Sequence, residues 1–240
     1  MESARGRLHS VETLGALDGP GVRCVVFLQG CPLRCRYCHN PDTWGFDGGT
    51  EVAAEELTKR LLRYRPYFGR EGGVTLSGGE PLAQPRFVRE ALQRCKEHGI
   101  HTAVDTSGAC LNDEVRNALD YTDLILLDLK HADPARYHDL TGGSLEATLT
   151  FLGEVAARRI PLWVRQVIVA GWTDTEQEVR DLARLVAGVP SLERLELLPY
   201  HTLGLGKWEA LGIDYPLTGT RPPDQALISR LEAVVQQELR

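Results

Sequence analysis

Three closely spaced cysteines are the residues of this 240-residue chain best suited to do chemistry. Cys31, Cys35 and Cys38 follow the spacing C-x3-C-x2-C, which supplies three thiolates within eight residues. Iron–sulfur clusters are usually held by four cysteine thiolates. Three thiolates without an obvious fourth favour a four-iron cluster in which one iron stays open. Because an open iron can bind a substrate as well as carry an electron, this segment is a candidate reaction centre.

Other interpretations of the three cysteines remain open. A disulfide is disfavoured because the chain shows no signal peptide and intracellular thiols are mostly reduced. Structural zinc would need a fourth ligand, for which His39 is the nearest candidate. His39 directly follows Cys38, however, and adjacent residues rarely reach one tetrahedral ion from productive directions. Unligated thiols are the third alternative. The remaining cysteines are interpreted as structural, because free cysteine often behaves as a small buried hydrophobe; they are Cys24, Cys95 and Cys110.

The composition is that of an ordinary globular protein. Hydrophobic residues make up 42% and charged residues 25% of the chain, close to the usual values. No apolar run reaches the roughly 18 residues of a membrane span, and a net charge of -6 argues against a nucleic-acid partner. We therefore expect a single domain over residues 1–240, located in the cytoplasm, with neither a nucleic-acid nor a membrane partner.

Apolar runs alternate with amphipathic stretches along the chain. The pattern predicts six strands, over residues 22–28, 73–77, 100–105, 124–128, 161–169 and 192–198. It predicts six helices, over residues 51–63, 85–98, 111–119, 144–159, 175–186 and 225–239, with Thr50 as the N-cap of the first. Regular alternation indicates parallel strands with crossover helices. Because eight such units do not fit in this length, we expect an α/β fold with a partial (β/α)6 TIM-like barrel.

Polar and charged residues cluster at the predicted strand ends. In parallel α/β folds, ligands bind at the carboxyl ends of the strands. The cysteine loop follows the first strand, and the later ends carry Gly78, Gly79, Glu80, Asp105, Thr106, Asp128, Lys130, Arg165 and His201. Wet loops explain scattered polar residues, but they explain the charged pair Asp128 and Lys130 in apolar surroundings less well. The strand ends therefore form one candidate site.

Each of these residue types has a chemical use. Adjacent glycines at 78 and 79 let the backbone approach a ligand closely. The carboxylate of Glu80 could accept from an ammonium group, and Lys130 could bind a carboxylate. Asp105 and Asp128 could orient a ribose, an amine or a cation, and an imidazole at 201 could donate to a sugar or stack on a base. Together they suit a small, zwitterionic, nucleoside-containing ligand.

Several blocks together carry a family resemblance. They are Asp18-Gly19-Pro20-Gly21-Val22-Arg23, Gln29-Gly30-Cys31, Tyr37-Cys38-His39-Asn40, Thr43-Trp44, Thr75-Leu76-Ser77-Gly78-Gly79-Glu80, Leu127-Asp128-Leu129-Lys130, Gly171-Trp172 and Leu197-Leu198-Pro199-Tyr200-His201. The cysteine spacing resembles that of the radical S-adenosylmethionine (radical SAM) superfamily. The combined set, which covers nearly the whole chain, resembles the activases of glycyl radical enzymes within that superfamily.

The resemblance implies a cofactor and a set of residue roles. It implies a [4Fe-4S] cluster on the catalytic Cys31, Cys35 and Cys38, with S-adenosylmethionine bound to its open iron. It assigns cofactor contacts to Tyr37, Gly78, Gly79, Glu80, Lys130, Arg165 and His201. It assigns a monovalent cation, sodium or potassium, to Asp105, Thr106, Asp128 and the Leu126 carbonyl. Asp18 and His39 resemble contacts to the glycine loop of a partner protein.

The resemblance also implies an activity. Reductive cleavage of S-adenosylmethionine yields a 5′-deoxyadenosyl radical, which removes hydrogen from a backbone glycine of pyruvate formate-lyase, an enzyme of anaerobic glucose metabolism. Flavodoxin or ferredoxin is the expected electron donor. Residues 39–77 contain no cysteine, which favours this simple type over activases with extra cysteine clusters. The alternatives are another glycyl radical enzyme as target, or a non-enzymatic zinc-binding interaction module.

Overall fold

The computed structural model describes residues 3–240, and its strands form one open sheet. In chain order the strands are β1 (Arg5–Gly15), β2 (Arg23–Leu28), β3 (Thr50–Ala53), β4 (Gly73–Gly78), β5 (His101–Thr106), β6 (Leu124–Asp128), β7 (Leu162–Ile168) and β8 (Leu192–Pro199). Across the sheet their order is β3-β1-β2-β4-β5-β6-β7-β8. The mostly parallel α/β architecture that the sequence predicts is confirmed.

All six predicted strands are present and run parallel to one another. Strand β2 pairs with β4, and each strand from β4 to β8 pairs with the next along the chain. The register places Leu28 beside Gly78 and Asp128 beside Arg165. As a result the carboxyl ends of the strands meet along one edge, where the predicted site residues lie.

Two antiparallel strands were not predicted. Strand β1 pairs with β2, and β3 pairs with β1 at the edge of the sheet. Polar residues alternate with single apolar residues along β1, so it has no continuous apolar run to reveal a strand. The prediction that Thr50 caps a helix is wrong, because Thr50 begins β3 and pairs with Leu8.

Eight helices flank the sheet within residues 3–240. They are α1 (Ala54–Leu62), α2 (Pro85–Glu97), α3 (Asp113–Leu119), α4 (Pro134–Thr141), α5 (Leu145–Arg158), α6 (Glu176–Val186), α7 (Leu205–Ala210) and α8 (Gln225–Glu238). Six match predicted helices, whereas the short α4 and α7 were not predicted. Ser144 and Thr175 cap α5 and α6 with their side chains, as the sequence suggests. None of these helices is both long and apolar enough to cross a membrane.

The sheet curls so that its two ends approach each other. The imidazole of His39, which follows β2, stacks on that of His201, which follows β8, with ring centroids 4.0 Å apart. Within residues 3–240, β8 pairs only with β7, so the curl does not close into a complete barrel. Fully buried apolar residues of the central strands fill the space under the helices, among them Leu76, Val104 and Ile125.

Candidate active site

The strand ends surround a cavity of about 280 Å³. Of the sixteen site residues named from the sequence, fourteen line it: Asp18, Cys31, Cys35, Tyr37, Cys38, His39, Gly78, Gly79, Asp105, Thr106, Asp128, Lys130, Arg165 and His201. Glu80 and Leu126 do not, and both are fully buried. Residues separated by up to 183 positions in the chain therefore face one space, because parallel strands end at the same edge.

The three clustered cysteines are free thiols on this cavity. Cys24, Cys95 and Cys110 are also free, but they do not line it. Burial raises the pKa of the Cys31 thiol to about 12 and that of Cys35 to about 11. A metal centre must displace these protons, because thiolate is the ligand form. Three convergent soft donors fit a cluster with three protein ligands.

Lys130 and Arg165 bring two buried positive charges to the cavity. The guanidinium of Arg165 forms ion pairs with Asp105 and, at 3.0 Å, with Asp128. The ammonium of Lys130 lies 3.1 Å from Asp128 and 5.7 Å from the centre of the Tyr37 ring. Burial opposes ionisation of Asp128, but the two cations outweigh it and lower its pKa. Burial raises the pKa of Asp105 despite the attraction of Arg165.

Asp18 reaches the cavity from the loop between β1 and β2. Within residues 3–240 its carboxylate accepts no hydrogen bond, and burial raises its pKa above the ordinary value while Arg165 acts in the opposite direction. A buried carboxylate without hydrogen-bond donors is costly to maintain. Its oxygens are therefore available to a donor brought by a ligand or a partner.

The glycines at 78 and 79 are required by the protein's own packing. Gly78 has φ +115°, a conformation that other residues rarely adopt. A Cβ at Gly79 would lie 2.4 Å from the carbonyl oxygen of Gly30, which precedes the first clustered cysteine. The pair lets the loop after β4 lie directly against the cysteine loop, and the bare backbone faces the cavity.

Glu80 does not present its carboxylate to the cavity. Its oxygens accept hydrogen bonds from the Thr106 hydroxyl at 2.7 Å and from the Ser107 hydroxyl at 2.6 Å, and also from the backbone N–H groups of Ser107 and Leu82. The expectation that it accepts from a ligand ammonium group is therefore not supported. Glu80 instead fastens the loop after β4 to the end of β5.

The residues expected to bind a monovalent cation are engaged in other contacts. Arg165 bridges the carboxylates of Asp105 and Asp128, and the Thr106 hydroxyl donates to Glu80. Leu126 lies inside β6 and is absent from the cavity lining. In residues 3–240, no group of three or more His, Cys, Asp and Glu side chains is arranged to hold one metal ion.

His39 is held by the far end of the sheet. Besides stacking on His201, its Nε2 lies 3.1 Å from the His201 carbonyl oxygen. Burial and the neighbouring imidazole both lower the pKa of His39. This contact occupies the nitrogen that a tetrahedral zinc site would need, so the zinc interpretation loses its fourth ligand.

Several residues around the site were not identified from the sequence. The Ser77 hydroxyl donates to Asp105 at 2.7 Å, and Lys207 reaches Asn40 and Asp42 beyond the cysteine loop. The indole of Trp208 donates to the Cys38 carbonyl oxygen. The segment Gly204 to Trp208 combines glycine, lysine and tryptophan, but nothing in its local pattern reveals what it contacts.

Comparisons with known proteins agree with this geometry. The sequence model of the Radical SAM superfamily matches residues 25–186. The chain is 48% identical over 235 residues to the pyruvate formate-lyase-activating enzyme of Clostridium pasteurianum, covering 98% of both chains. It is 41% identical to the pyruvate formate-lyase 1-activating enzyme of Escherichia coli K12, covering 98% of this chain and 97% of the relative.

Solved structures show the same fold. A domain of the pyruvate-formate lyase-activating enzyme from Bacteroides vulgatus superposes with a TM-score of 0.59 at 27% identity, over 70% of this chain and 94% of that one. Streptococcus suis SuiB, in complex with its precursor peptide SuiA, superposes with a TM-score of 0.69 at 16% identity, over 89% of this chain and 45% of that one. The second likeness bears on the fold alone.

Proposed function

Because this chain belongs to the radical SAM superfamily and, within it, to the family of pyruvate formate-lyase-activating enzymes, we propose that it generates the glycyl radical of pyruvate formate-lyase. The observation that carries the proposal is the convergence of three free thiols, Lys130 and Arg165 on one cavity. When bound, a [4Fe-4S] cluster supplies the electron that cleaves S-adenosylmethionine, and the resulting 5′-deoxyadenosyl radical removes hydrogen from a backbone glycine.

The charges of the cavity suit this cofactor. The lining carries three carboxylates and two side-chain cations, which leaves one formal negative charge. S-adenosylmethionine carries a carboxylate, an ammonium and a sulfonium group, which leaves one positive charge. Lys130 is the nearest cation to the cysteine loop, since its charge lowers the pKa of the Cys35 thiol against the effect of burial. We assign it to the cofactor carboxylate, and the backbone at Gly78 and Gly79 to the ammonium group.

The nucleoside part of the cofactor is assigned to the opposite wall. Tyr37 is buried beside the cysteines, and within residues 3–240 its hydroxyl has no hydrogen-bond partner. His201 is exposed at the mouth and offers a flat ring on which a base can stack. Arg165 lies between them and the floor, within reach of a ribose or carboxylate.

A monovalent cation is a further component of the proposal. Asp105 and Asp128 are its proposed ligands, together with Thr106 and the carbonyl of Leu126. Because Arg165 already bridges the two carboxylates, cation binding requires this guanidinium to turn toward the cofactor. Replacing potassium or sodium by choline in the cofactor-binding assay would then weaken binding, whereas equal affinity in choline would contradict the cation.

The glycine loop of the partner has an access route. A second cavity of about 850 Å³ opens between the loop at 16–21 and β8. It shares Asp18, Arg165, Leu198, Pro199 and His201 with the first cavity, so the two are continuous. We assign Asp18, whose carboxylate accepts no bond, and His39 to contacts with this loop. A loop seated there would shield the adenosyl radical from water.

An acidic one-electron carrier such as flavodoxin or ferredoxin is the proposed electron donor. Arg34 and Arg36 lie within the cysteine loop, and the guanidiniums cover the rings of Trp44 and Trp172 at 5.0 and 5.2 Å. Positive charge beside the cluster would orient a carrier of opposite charge. Such a reduced carrier belongs to the cytoplasm, which is the proposed location.

Electron paramagnetic resonance tests the function directly. The reconstituted protein is incubated anaerobically with reductant, S-adenosylmethionine and pyruvate formate-lyase, and the expected product is a glycyl radical doublet. Methionine and 5′-deoxyadenosine without a doublet would indicate a different glycyl radical enzyme as target. Reconstitution that yields zinc without sulfide would replace the enzyme proposal by the interaction module.

A further inference from the structure

The segment after β8 clamps the third cysteine of the cluster motif. Trp208, in α7, is 2% exposed, and its Nε1 donates to the Cys38 carbonyl oxygen at 2.8 Å. This hydrogen bond joins residues 170 positions apart. A buried tryptophan normally finds a partner for its N–H, and here the partner belongs to a proposed cluster ligand.

Neighbouring contacts make the clamp continuous. Trp208 packs edge-on against Trp44, with ring centroids 5.1 Å apart. The Lys207 ammonium lies 2.8 Å from the Asn40 side-chain oxygen and also pairs with Asp42. A Cβ at Gly204 would lie 2.8 Å from the Cα of His39, so this approach requires glycine. Residues 204–208 therefore contact the segment 38–44 at several points.

We propose that Trp208 is a positioning residue, which holds the Cys38 carbonyl and the Trp44 ring so that the Cys38 sulfur keeps its place and its electrostatic surroundings. Burial raises the pKa of the Cys38 thiol, and a hydrogen bond from the Trp44 side chain acts against this effect. Hydrogen bonds to the sulfurs are one determinant of a cluster's reduction potential. An N–H directed at the sulfur stabilises the more negative, reduced state, so it raises that potential.

The first test needs no cluster. Trp208→Phe keeps an aromatic ring but removes the N–H donor. In the cluster-free protein, amide hydrogen exchange of residues 38–44 should become roughly two- to tenfold faster, as expected for loss of one hydrogen bond. The matched control is Trp163→Phe, which loses an indole bond of 3.0 Å to Glu193 on β8 and should leave exchange at 38–44 unchanged. Unchanged exchange in Trp208→Phe would overturn the positioning role.

The second test rests on the proposed function, because it uses the reconstituted cluster. Trp208→Phe should shift the cluster's midpoint potential to a more negative value, since the Trp44 N–H is no longer held at the sulfur. A shift in exchange without a shift in potential would confine Trp208 to a structural role and overturn the electrostatic half of the proposal. If no cluster forms even in the unaltered protein, the proposed function fails while the exchange result stands.

Lys207→Met keeps the proposal falsifiable if Trp208→Phe does not fold. Lys207 is partly exposed, so the variant should fold normally. It removes the contacts to Asn40 and Asp42, and exchange at 38–44 should again become faster. Protection equal to that of the unaltered protein would show that residues 204–208 do not hold the cysteine loop.

Discussion

The Thr75 hydroxyl donates to the backbone carbonyl of Asp18 at 2.7 Å. The same hydroxyl accepts from Nε of Arg23, which is fully buried. Arg23 also donates to the carbonyls of Pro20 and Val74, and burial lowers its pKa to about 10, so it stays charged at neutral pH. The loop that carries the unbonded Asp18 carboxylate is therefore attached to β4 by a buried, charged group.

Replacing Thr75 by Val should destabilise this attachment. The variant leaves the Asp18 carbonyl and the Arg23 guanidinium each short of a partner, which costs about 1–3 kcal/mol of unfolding free energy. Thermal denaturation measures this loss. The control is Thr58→Val, which removes only a bond to the Ala54 carbonyl one turn earlier in α1. Equal losses in both variants would mean that the loop attachment has no special weight.

Asp18→Asn should separate stability from partner recognition. Because burial raises the pKa of Asp18, a neutral amide removes an unfavourable charge and should leave the melting temperature unchanged or higher. Cluster content and S-adenosylmethionine binding should persist, while the glycyl radical yield falls. Both quantities are measured on one preparation. A full radical yield would remove Asp18 from the partner site.

Glu80→Gln should act on stability. The amide can accept through one oxygen only, so it loses part of a buried set of four hydrogen bonds. The expected loss is about 1.5–3 kcal/mol, as for bonds to charged groups. Urea denaturation measures it, with Glu97→Gln on the surface of α2 as control. A weaker affinity for S-adenosylmethionine at unchanged stability would instead restore Glu80 as a cofactor ligand.

Lys130→Met should weaken cofactor binding. The variant removes the ammonium group but keeps most of the stem, and Asp128 retains its ion pair with Arg165. Loss of a charged hydrogen bond corresponds to about 1.5–3 kcal/mol, or roughly ten- to a hundredfold in affinity. Calorimetric titration of the reconstituted protein with S-adenosylmethionine measures it, beside Lys59→Met on the exposed face of α1. An unchanged dissociation constant would show that Lys130 does not contact the cofactor.

The cluster assignment predicts a sharp division among the six cysteines. Cys35→Ala should abolish the cluster's absorbance, its iron and sulfide content, and all cleavage of S-adenosylmethionine. Cys110→Ala, outside the cavity lining, should keep all three. Iron and sulfide analysis after anaerobic reconstitution decides the point. Full cluster content in Cys35→Ala would refute the assignment.

Local pattern was sufficient to predict the parallel strands and the strand ends that carry the site. Buried parallel strands are continuous apolar runs, of which Leu124–Asp128 is an example, and their carboxyl ends meet by topology. The same reasoning could not find β1, because its apolar residues are isolated among polar ones. It also placed the start of α1 too early, since Thr50 has the chemistry of a cap but the hydrogen bonds of a strand.

The sequence by itself determined which residue types reach the site, through the cysteine spacing and the polar residues after each strand. Only the tertiary structure decided what each side chain does there. Glu80 faces inward because Thr106 and Ser107, from another strand, supply its donors. Trp208 reaches Cys38 because the sheet curls its ends together. Such contacts depend on which distant segments meet, and no local periodicity encodes the direction in which a side chain finds its partner.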